Sequence, residues 1–244
     1  MTALSFAVFG IGSLIMGLLL VPYFWLTIRS VAERARELRY CTGRGMRFFV
    51  WVLKSSGVLD CTIRGQEYMQ TNANVLVLAN HPSLIDVVFL LALFPQSQCV
   101  VKKAIWANPF TACLIGNAKY ISNADPELML RDAEAALAGG ESLILFPEGT
   151  RTEPGREPVF KLGAAAVAVR SGKDIQPVLL NVSPTTLTKS DKWYSVPESK
   201  VLMSIEIFPA METSGLFDQE LDQRHRTRML NANLQDWFCG KLSV

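Results

Sequence analysis

The stretch that decides the fold is residues 75–86, which read VLVLANHPSLID. Its first five residues are all apolar, and such a run predicts a strand that lies inside a sheet and is covered on both faces. Residues 142–146 (SLILF) have nearly the same texture. Polar residues follow both runs directly. The sequence therefore predicts two central strands whose carboxyl ends carry chemically active side chains.

Short apolar runs alternate with longer helical patterns over the rest of residues 55–244. The predicted strands are 59–64, 75–79, 98–101, 142–146, 175–180 and 201–208, and the predicted helices are 82–93, 108–114, 126–138, 161–171 and 218–238. This alternation predicts an α/β fold with a mostly parallel sheet flanked by helices. Ligands bind at the carboxyl ends of the strands in such sheets, so the residues that leave the central strands are candidate site residues.

The first candidate site follows the strand at 75–79, where His81 precedes Pro82 and Asp86 lies five residues after the histidine. Pro82 suits the first position of a helix, which would place His81 at the N-cap. From there the imidazole can fold back towards Asp86, whereas inside one regular helix the two side chains would point about 140° apart. An imidazole held by a carboxylate can act as a general base. The competing interpretation is a capping histidine beside a buried aspartate.

The second candidate site follows the strand at 142–146, where residues 147–152 read PEGTRT. Glu148 can accept hydrogen bonds from the hydroxyl groups of a polyol, and Arg151 offers a planar fork that suits phosphate or carboxylate. Gly149 permits a turn that a side chain would hinder, and Thr150 adds a hydroxyl. The competing interpretation is a polar surface turn.

The N-terminal residues form a strongly apolar segment. Residues 1–28 contain no charged residue and no histidine, and about 20 such residues can cross a bilayer. A basic flank follows the apolar segment, and its members are Arg29, Arg34, Arg36, Arg39, Arg44 and Arg47. This flank predicts that the C-terminal end of the apolar segment stays on the cytoplasmic side, near anionic headgroups. A second apolar patch at 46–53 leaves two arrangements open, either a single span or a one-leaflet helical hairpin with an arginine-rich turn. We expect a membrane-anchoring helical segment at 1–54 and a catalytic domain at 55–244.

Composition excludes several classes of function. Half of the 244 residues are hydrophobic and only 19% are charged, which indicates extra apolar surface of the kind that contacts a membrane. A net charge of +2 is too small to indicate a nucleic-acid partner. Five cysteines without metal-ligand spacing and only two histidines predict a reducing compartment and no metal site. The sequence also lacks a complete glycine-rich nucleotide-binding motif.

Taken together, the two candidate sites resemble the motifs of a known family. Asn-His-x4-Asp at 80–86, followed about sixty residues later by Phe-Pro-Glu-Gly-Thr-Arg at 146–151, resembles the glycerolipid acyltransferases of the 1-acylglycerol-3-phosphate acyltransferase family. The segments 160–165 and 176–178 look like the blocks that follow in that family. The resemblance runs from about residue 59 to residue 208, and an N-terminal membrane segment is usual in this family.

The resemblance implies a glycerol-3-phosphate acyltransferase-like fold and an enzyme that moves a fatty acyl group to a hydroxyl of a lysophospholipid-like acceptor. The donor would be a thioester, either acyl-CoA or acyl-carrier protein, and no other cofactor is expected. By this analogy His81 deprotonates the acceptor hydroxyl, which attacks the thioester directly, and Asp86 orients His81. Membrane lipids and the acyl donor are then the expected partners, at the cytoplasmic side of the cell membrane.

The same resemblance implies how the acceptor is held. Arg151 would bind the head of the acceptor, with Glu148, Gly149 and Thr150 around it. A basic position just after the third strand helps to bind the acceptor phosphate in relatives, and Lys102 or Lys103 matches it.

Asn123 departs from the family pattern, because it stands where an arginine for the acceptor phosphate is expected. An amide cannot replace a guanidinium at phosphate. Either Lys119, Lys102 and Arg151 bind the phosphate, or the acceptor is a specialised or amino-acid lipid.

Two other functions compete with acyl transfer. A lipid hydrolase would need a serine nucleophile, but the sequence has no Gly-x-Ser-x-Gly motif and Ser83 is the only candidate near the histidine. A lipid-binding protein without catalytic activity would not need His81.

Overall fold

The computed structural model describes residues 2–69, 74–153, 155–188, 199–213 and 221–242. Two long helices, α1 (Thr2–Thr27) and α2 (Val31–Ser55), precede the sheet. The sheet consists of β1 (Leu59–Arg64), β2 (Leu76–Ala79), β3 (Gln98–Val101), β4 (Ile121–Ser122), β5 (Leu143–Leu145), β6 (Ile175–Ser183) and β7 (Val201–Ile207). The remaining α-helices are α3 (Asp86–Leu93), α4 (Lys103–Trp106), α5 (Ala112–Asn117), α6 (Pro126–Ala138), α7 (Leu162–Ser171) and α8 (Gln223–Leu242), and one 3₁₀ turn lies at Gln66–Tyr68.

The strands of the described residues form one sheet in the order β1-β7-β6-β2-β5-β3-β4. The strands from β6 to β4 are parallel, whereas β7 is antiparallel to β6 and β1 is parallel to β7. Leu76 of β2 pairs with Leu143 of β5 on one side and with Ile175 of β6 on the other. The predicted α/β fold with a mostly parallel sheet flanked by helices is therefore confirmed.

Both faces of the central sheet are covered. Val77 and Ala79 of β2 pack into a hydrophobic cluster with α1, α2 and α3, while Leu76 and Leu78 pack into a second cluster with α6, α7 and α8. All four of these side chains are fully buried. The apolar run that predicted a central strand thus reflects burial on alternate faces.

Several element boundaries differ from the predictions. The strands at 59–64 and 98–101 and the helix at 126–138 match residue for residue, but the helix predicted from Pro82 begins at Asp86. Residues 80–85 form a loop instead, in which the Ser83 N–H donates to the Asp86 carboxylate. Strand β4 was not predicted, since two residues are too short to show a period. Residues 218–220 of the helix predicted at 218–238 lie outside the described residues.

Helices α1 and α2 form an antiparallel hairpin. Phe9 packs on Phe49 with ring centroids 5.4 Å apart, and the Arg34 guanidinium lies 4.9 Å from the ring centroid of Trp25. Over Val8–Thr27, α1 is long and apolar enough to cross a membrane. The connection between the helices is residues 28–30, so the hairpin arrangement that was left open does not have an arginine-rich turn. Arg29 lies in this connection, and the other five arginines of the basic flank lie within α2. Helix α2 begins after Ser30 because the Ser30 hydroxyl caps the Glu33 N–H.

The place of Arg39 in the basic flank predicts a contact with lipid headgroups, but the structure buries this side chain instead. Its side chain is 1% exposed and forms an ion pair with Glu141, which also accepts a hydrogen bond from Gln98 at 2.8 Å. Arg39 also donates to the backbone oxygens of Ala118 at 2.9 Å and Gln96 at 3.2 Å. These bonds attach α2 to the amino-terminal edge of the sheet. The predicted division of the chain after residue 54 stays a prediction.

Replacement of Arg39 should destabilise the fold. In Arg39→Ala the Glu141 carboxylate loses the positive charge with which it is paired. We expect the free energy of unfolding, measured by chemical denaturation, to fall by about 3 kcal/mol. The matched control is Lys54→Ala, because Lys54 forms an exposed pair with Asp60 at 3.8 Å. That control should change stability by less than about 0.5 kcal/mol. Equal losses in both variants would contradict a structural role for the buried pair.

Candidate active site

The candidate site lies at the carboxyl edge of the parallel strands. Asn80 and His81 leave β2, Phe146 leaves β5, and Lys102 leaves β3. Since these strands are parallel and adjacent, their ends meet at one edge of the sheet. The two candidate sites of the sequence are therefore one site.

His81 and Asp86 form the hydrogen-bonded pair that the sequence predicts. His81 Nδ1 lies 2.8 Å from Asp86 Oδ2, and the Ser83 N–H donates to the same oxygen at 2.6 Å. The imidazole stacks on Phe146 with ring centroids 4.2 Å apart, and the His81 side chain is 13% exposed. Because Nδ1 faces the carboxylate, Nε2 is the ring nitrogen that can exchange a proton with a substrate.

The position of His81 in the chain differs from the prediction. Ile85, not His81, is the N-cap of α3, and Asp86 is the first residue of the helix. His81 lies in a loop of residues 80–85, which we call the histidine loop. The imidazole therefore reaches Asp86 across a turn of the loop.

Burial dominates the electrostatics of Asp86. The side chain is completely buried, which raises its pKa, while the hydrogen bonds from His81 and Ser83 and the charge of Arg151 act in the opposite direction. A buried carboxylate strongly favours a nearby positive charge. Asp86 can therefore stabilise His81 when the imidazole takes up a proton.

Glu148 lies beneath the histidine loop and not in the open part of the site. Its side chain is buried; one carboxylate oxygen accepts the His81 backbone N–H at 2.9 Å and the other accepts the Thr152 hydroxyl. Burial raises the pKa of Glu148 to about 7, the His81 N–H lowers it, and the charge of Asp86 raises it further. Both oxygens thus face protein groups, although the resemblance implied contact with the acceptor.

Gly149 makes the turn of the segment 147–152, which we call the glutamate loop. Its φ of 66° is in the left-handed region, which favours glycine. A Cβ at this position would lie 3.2 Å from Lys161 Nζ, so the Lys161 side chain covers the turn. Lys161 is exposed and adds a cation to the site that the sequence did not single out. Thr150 follows in the same turn and is half-buried.

Arg151 holds the chain that follows β6. Its Nη1 donates to the backbone oxygens of Leu187 at 2.8 Å and Thr188 at 2.7 Å. The Leu187 oxygen also accepts the N–H of Leu84 in the histidine loop at 3.1 Å. Part of the guanidinium that was predicted to bind a substrate is therefore bonded to the protein.

Lys102 and Lys103 are exposed at the end of β3. Asn123 lies next to them, because its side-chain oxygen accepts the Lys103 N–H at 3.2 Å and its own N–H donates to Val101 at 3.1 Å. Asn123 therefore joins the ends of β3 and β4. Lys119, in contrast, precedes β4 and lies towards the opposite edge of the sheet, so it does not replace the expected arginine.

Comparison with known proteins identifies the relatives of this chain. A model of the acyltransferase family matches residues 60–181. The 1-acyl-sn-glycerol-3-phosphate acyltransferase of Cocos nucifera is 26% identical over 222 residues, which cover 88% of this chain and 66% of that protein. The enzyme of the same name from Pseudomonas aeruginosa is 27% identical over 188 residues, which cover 75% and 70%. The chain thus spans about two thirds of the length of these relatives.

A solved structure shares the fold. The crystal structure of the 1-acyl-sn-glycerophosphate acyltransferase from Thermotoga maritima matches with a TM-score of 0.69 and covers 97% of this chain and 94% of its own. The sequences are 19% identical, so this match concerns the architecture. The helical hairpin and the sheet both fall within the matched length.

The raised pKa of Glu148 predicts a pH-dependent stability. The folded protein holds this proton more tightly than the unfolded chain, in which the pKa is about 4.5, so its contribution is present below that value and is lost as the pH rises through about 7. Glutamine does not titrate. We therefore expect the Tm of the wild type, measured relative to Glu148→Gln, to fall between about pH 5 and about pH 8. A difference that stays constant over this range would contradict the raised pKa.

Proposed function

Because this chain belongs to the acyltransferase family, we propose that it is an O-acyltransferase that moves a fatty acyl group from a thioester donor to a hydroxyl of a lysophosphatidic-acid-like acceptor. The observation that supports this most directly is the pair of His81 and Asp86, 2.8 Å apart at the carboxyl edge of the sheet. The pair lies within the matched residues 60–181. The acceptor class is inferred from the relatives, which are 1-acyl-sn-glycerol-3-phosphate acyltransferases.

The pair supports a reaction by general-base catalysis. His81 Nε2 takes the proton of the acceptor hydroxyl, and the acceptor oxygen attacks the carbonyl carbon of the thioester. The carbon–sulfur bond then breaks, and the thiolate leaves with the proton from Nε2. Asp86 keeps the proton of Nδ1 in place and stabilises the imidazolium between the two transfers. A thioester, either acyl-CoA or acyl-carrier protein, is activated enough for direct attack.

Exposed cations at the same edge support an anionic acceptor. Lys102 and Lys103 follow β3, Lys161 covers the glutamate loop, and the charge of Arg151 acts on Asp86. Phosphate is recognised by lysine as a point charge and by arginine as a fork. These four residues would hold the acceptor phosphate, while Asn123 connects the ends of β3 and β4 by hydrogen bonds.

The membrane contact is proposed to be a hairpin inserted in one leaflet. The middle of α1 lies against the catalytic domain, since a Cβ at Gly17 would be 3.6 Å from Cys113 and the Trp25 indole N–H donates to Asn117 at 3.2 Å. A helix that crossed the bilayer would carry α5 into the hydrocarbon. One stripe of α1 instead remains exposed and suits lipid, namely Ile11, Ile15, Leu18, Leu19 and Leu26. The arginines of α2 favour the cytoplasmic side.

The reaction is tested by the release of thiol from a long-chain acyl-CoA. Detergent-solubilised protein is assayed with and without lysophosphatidic acid. His81→Ala removes the base, so we expect turnover to fall by about 10²–10⁴-fold. The control is His225→Ala, because His225 is exposed on α8, and its turnover should stay within about twofold.

The assay also separates the competing functions. Thiol release that needs lysophosphatidic acid and His81 supports the proposal. Free fatty acid released without an acceptor would favour a hydrolase, whereas release with another hydroxylated lipid alone would move the acceptor away from lysophosphatidic acid. Wild-type turnover in His81→Ala would overturn the mechanism.

The one-leaflet hairpin predicts where the N-terminus lies. An epitope fused before Met1 should be cut by a protease added to inside-out membrane vesicles, because both ends of a hairpin stay on the cytoplasmic side. An epitope fused after Val244 reports the side of the catalytic domain. Protection of the N-terminal epitope, with cleavage of the C-terminal one, would indicate a span.

A further inference from the structure

The histidine loop and the glutamate loop are bonded to each other at His81. The His81 N–H donates to Glu148 at 2.9 Å, and the Thr152 N–H donates to the His81 oxygen at 3.1 Å. The Thr152 hydroxyl donates to the second oxygen of Glu148. Both polar backbone groups of His81 are thus bonded to two residues of one distant loop. We call this set of three hydrogen bonds the clasp.

The clasp controls the direction of the imidazole. The bond from His81 Nδ1 to Asp86 fixes the side chain only if the backbone that carries the side chain is also fixed. The dihedral angles of His81 cannot change far while its N–H and its oxygen are both held. Small displacements of a catalytic group lower a rate by much more than they alter binding.

The burial of Glu148 indicates that this side chain holds the backbone of His81. The side chain is 3% exposed, and both carboxylate oxygens are already bonded to His81 and Thr152. Each of these oxygens could accept a further hydrogen bond, but at 3% exposure the side chain offers an acceptor hydroxyl almost no open approach. Burial, together with the bonds to His81 and Thr152, therefore favours a role within the protein over contact with the acceptor.

A second connection holds the other end of the histidine loop. The Leu187 oxygen accepts both the Leu84 N–H and the Arg151 guanidinium. Leu187 has a φ of 54°, which is strained for a residue with a side chain. The bonds from Arg151 to Leu187 and Thr188 keep it in this conformation. The glutamate loop thus holds the histidine loop directly at His81 and through Leu187 at Leu84.

We propose that Glu148 and Thr152 position His81 for the reaction and that Glu148 does not bind the acceptor. Thr152 is thus a positioning residue that acts through Glu148 and through the backbone of His81. This inference rests on the proposed acyl transfer, and its experiment includes a measurement that does not depend on activity.

The kinetic experiment compares two replacements of Thr152. Thr152→Val keeps the shape of the side chain but removes the hydroxyl, so we expect kcat to fall about tenfold while the KM values for acceptor and donor change by less than about twofold. Thr152→Ser keeps the hydroxyl and should restore kcat to within about twofold of the wild type. The matched control is Thr62→Val on β1, where the threonine is exposed and distant from the site.

Two replacements of Glu148 separate positioning from acceptor binding. Glu148→Gln retains an oxygen for the His81 N–H and an amide for the Thr152 hydroxyl, so kcat should stay within a few-fold of the wild type. Glu148→Ala removes two of the three hydrogen bonds of the clasp, and kcat should fall more than about tenfold with the acceptor KM unchanged. A raised acceptor KM with unchanged kcat in Glu148→Ala would overturn the proposal.

Hydrogen exchange tests the clasp without a substrate. In the intact protein in detergent, the peptide that contains the histidine loop should exchange its amide hydrogens about tenfold faster in Thr152→Val than in Thr152→Ser or the wild type. The melting temperature identifies a variant that fails to fold. If the wild type lacks acyltransferase activity, the proposed function fails, but the exchange rates still show whether the clasp holds the histidine loop. Unchanged exchange in Thr152→Val would overturn the clasp even in an active enzyme.

Discussion

The parallel pairing of β2 with β5 is the constraint on which the site depends. Leu76 lies opposite Leu143 and Leu78 opposite Leu145, so the two strands end at the same edge of the sheet. This register brings His81 next to Phe146 and Glu148, although the two motifs are far apart in the chain. A different register would displace the ring contact, the Glu148 hydrogen bond and the approach of Arg151 to Asp86 together. The fully buried side chains of β2 maintain this register, since a slip would exchange its two covered faces.

The same hydrophobic core joins helices α1 and α2 to the strand that leads to His81. Val21 and Phe24 of α1 and Leu38 of α2 belong to the cluster that covers Val77 and Ala79 of β2. Arg39 adds a buried polar attachment between α2 and the opposite edge of the sheet. Helices α1 and α2 are therefore fixed relative to His81. Under the proposed function, in which the acceptor stays in a bilayer and the thioester arrives from solution, this fixed relation would keep His81 at a constant depth.

Sequence patterns predict what local physical chemistry determines. The apolar run at 75–79 predicts a central strand because burial on both faces requires apolar residues at every position. Pro82 predicts that His81 precedes the helix, from where the imidazole can reach Asp86. Patterns do not reveal contacts between distant residues. The role of Glu148 depends on a hydrogen bond across 67 positions, and Arg39 meets Glu141 across 102. Neither residue type indicates its partner, so the sequence alone favours a contact of Glu148 with a ligand and of Arg39 with headgroups. The capping signal at Ser30 and Glu33 was present in the sequence and identifies the start of α2.

The structure divides the polar residues of the site between scaffold and substrate. Glu148, Thr152 and Nη1 of Arg151 are bonded to protein groups, and Asn123 joins two strand ends. The cations that remain exposed at this edge are on neighbouring segments, at Lys102 and Lys103 after β3 and at Lys161 before α7. Under the proposed function, the acceptor phosphate is held by these lysines and by the part of the Arg151 guanidinium beyond Nη1. An asparagine at 123 is then compatible with a phosphate-bearing acceptor, because other exposed side chains at this edge of the sheet carry positive charge.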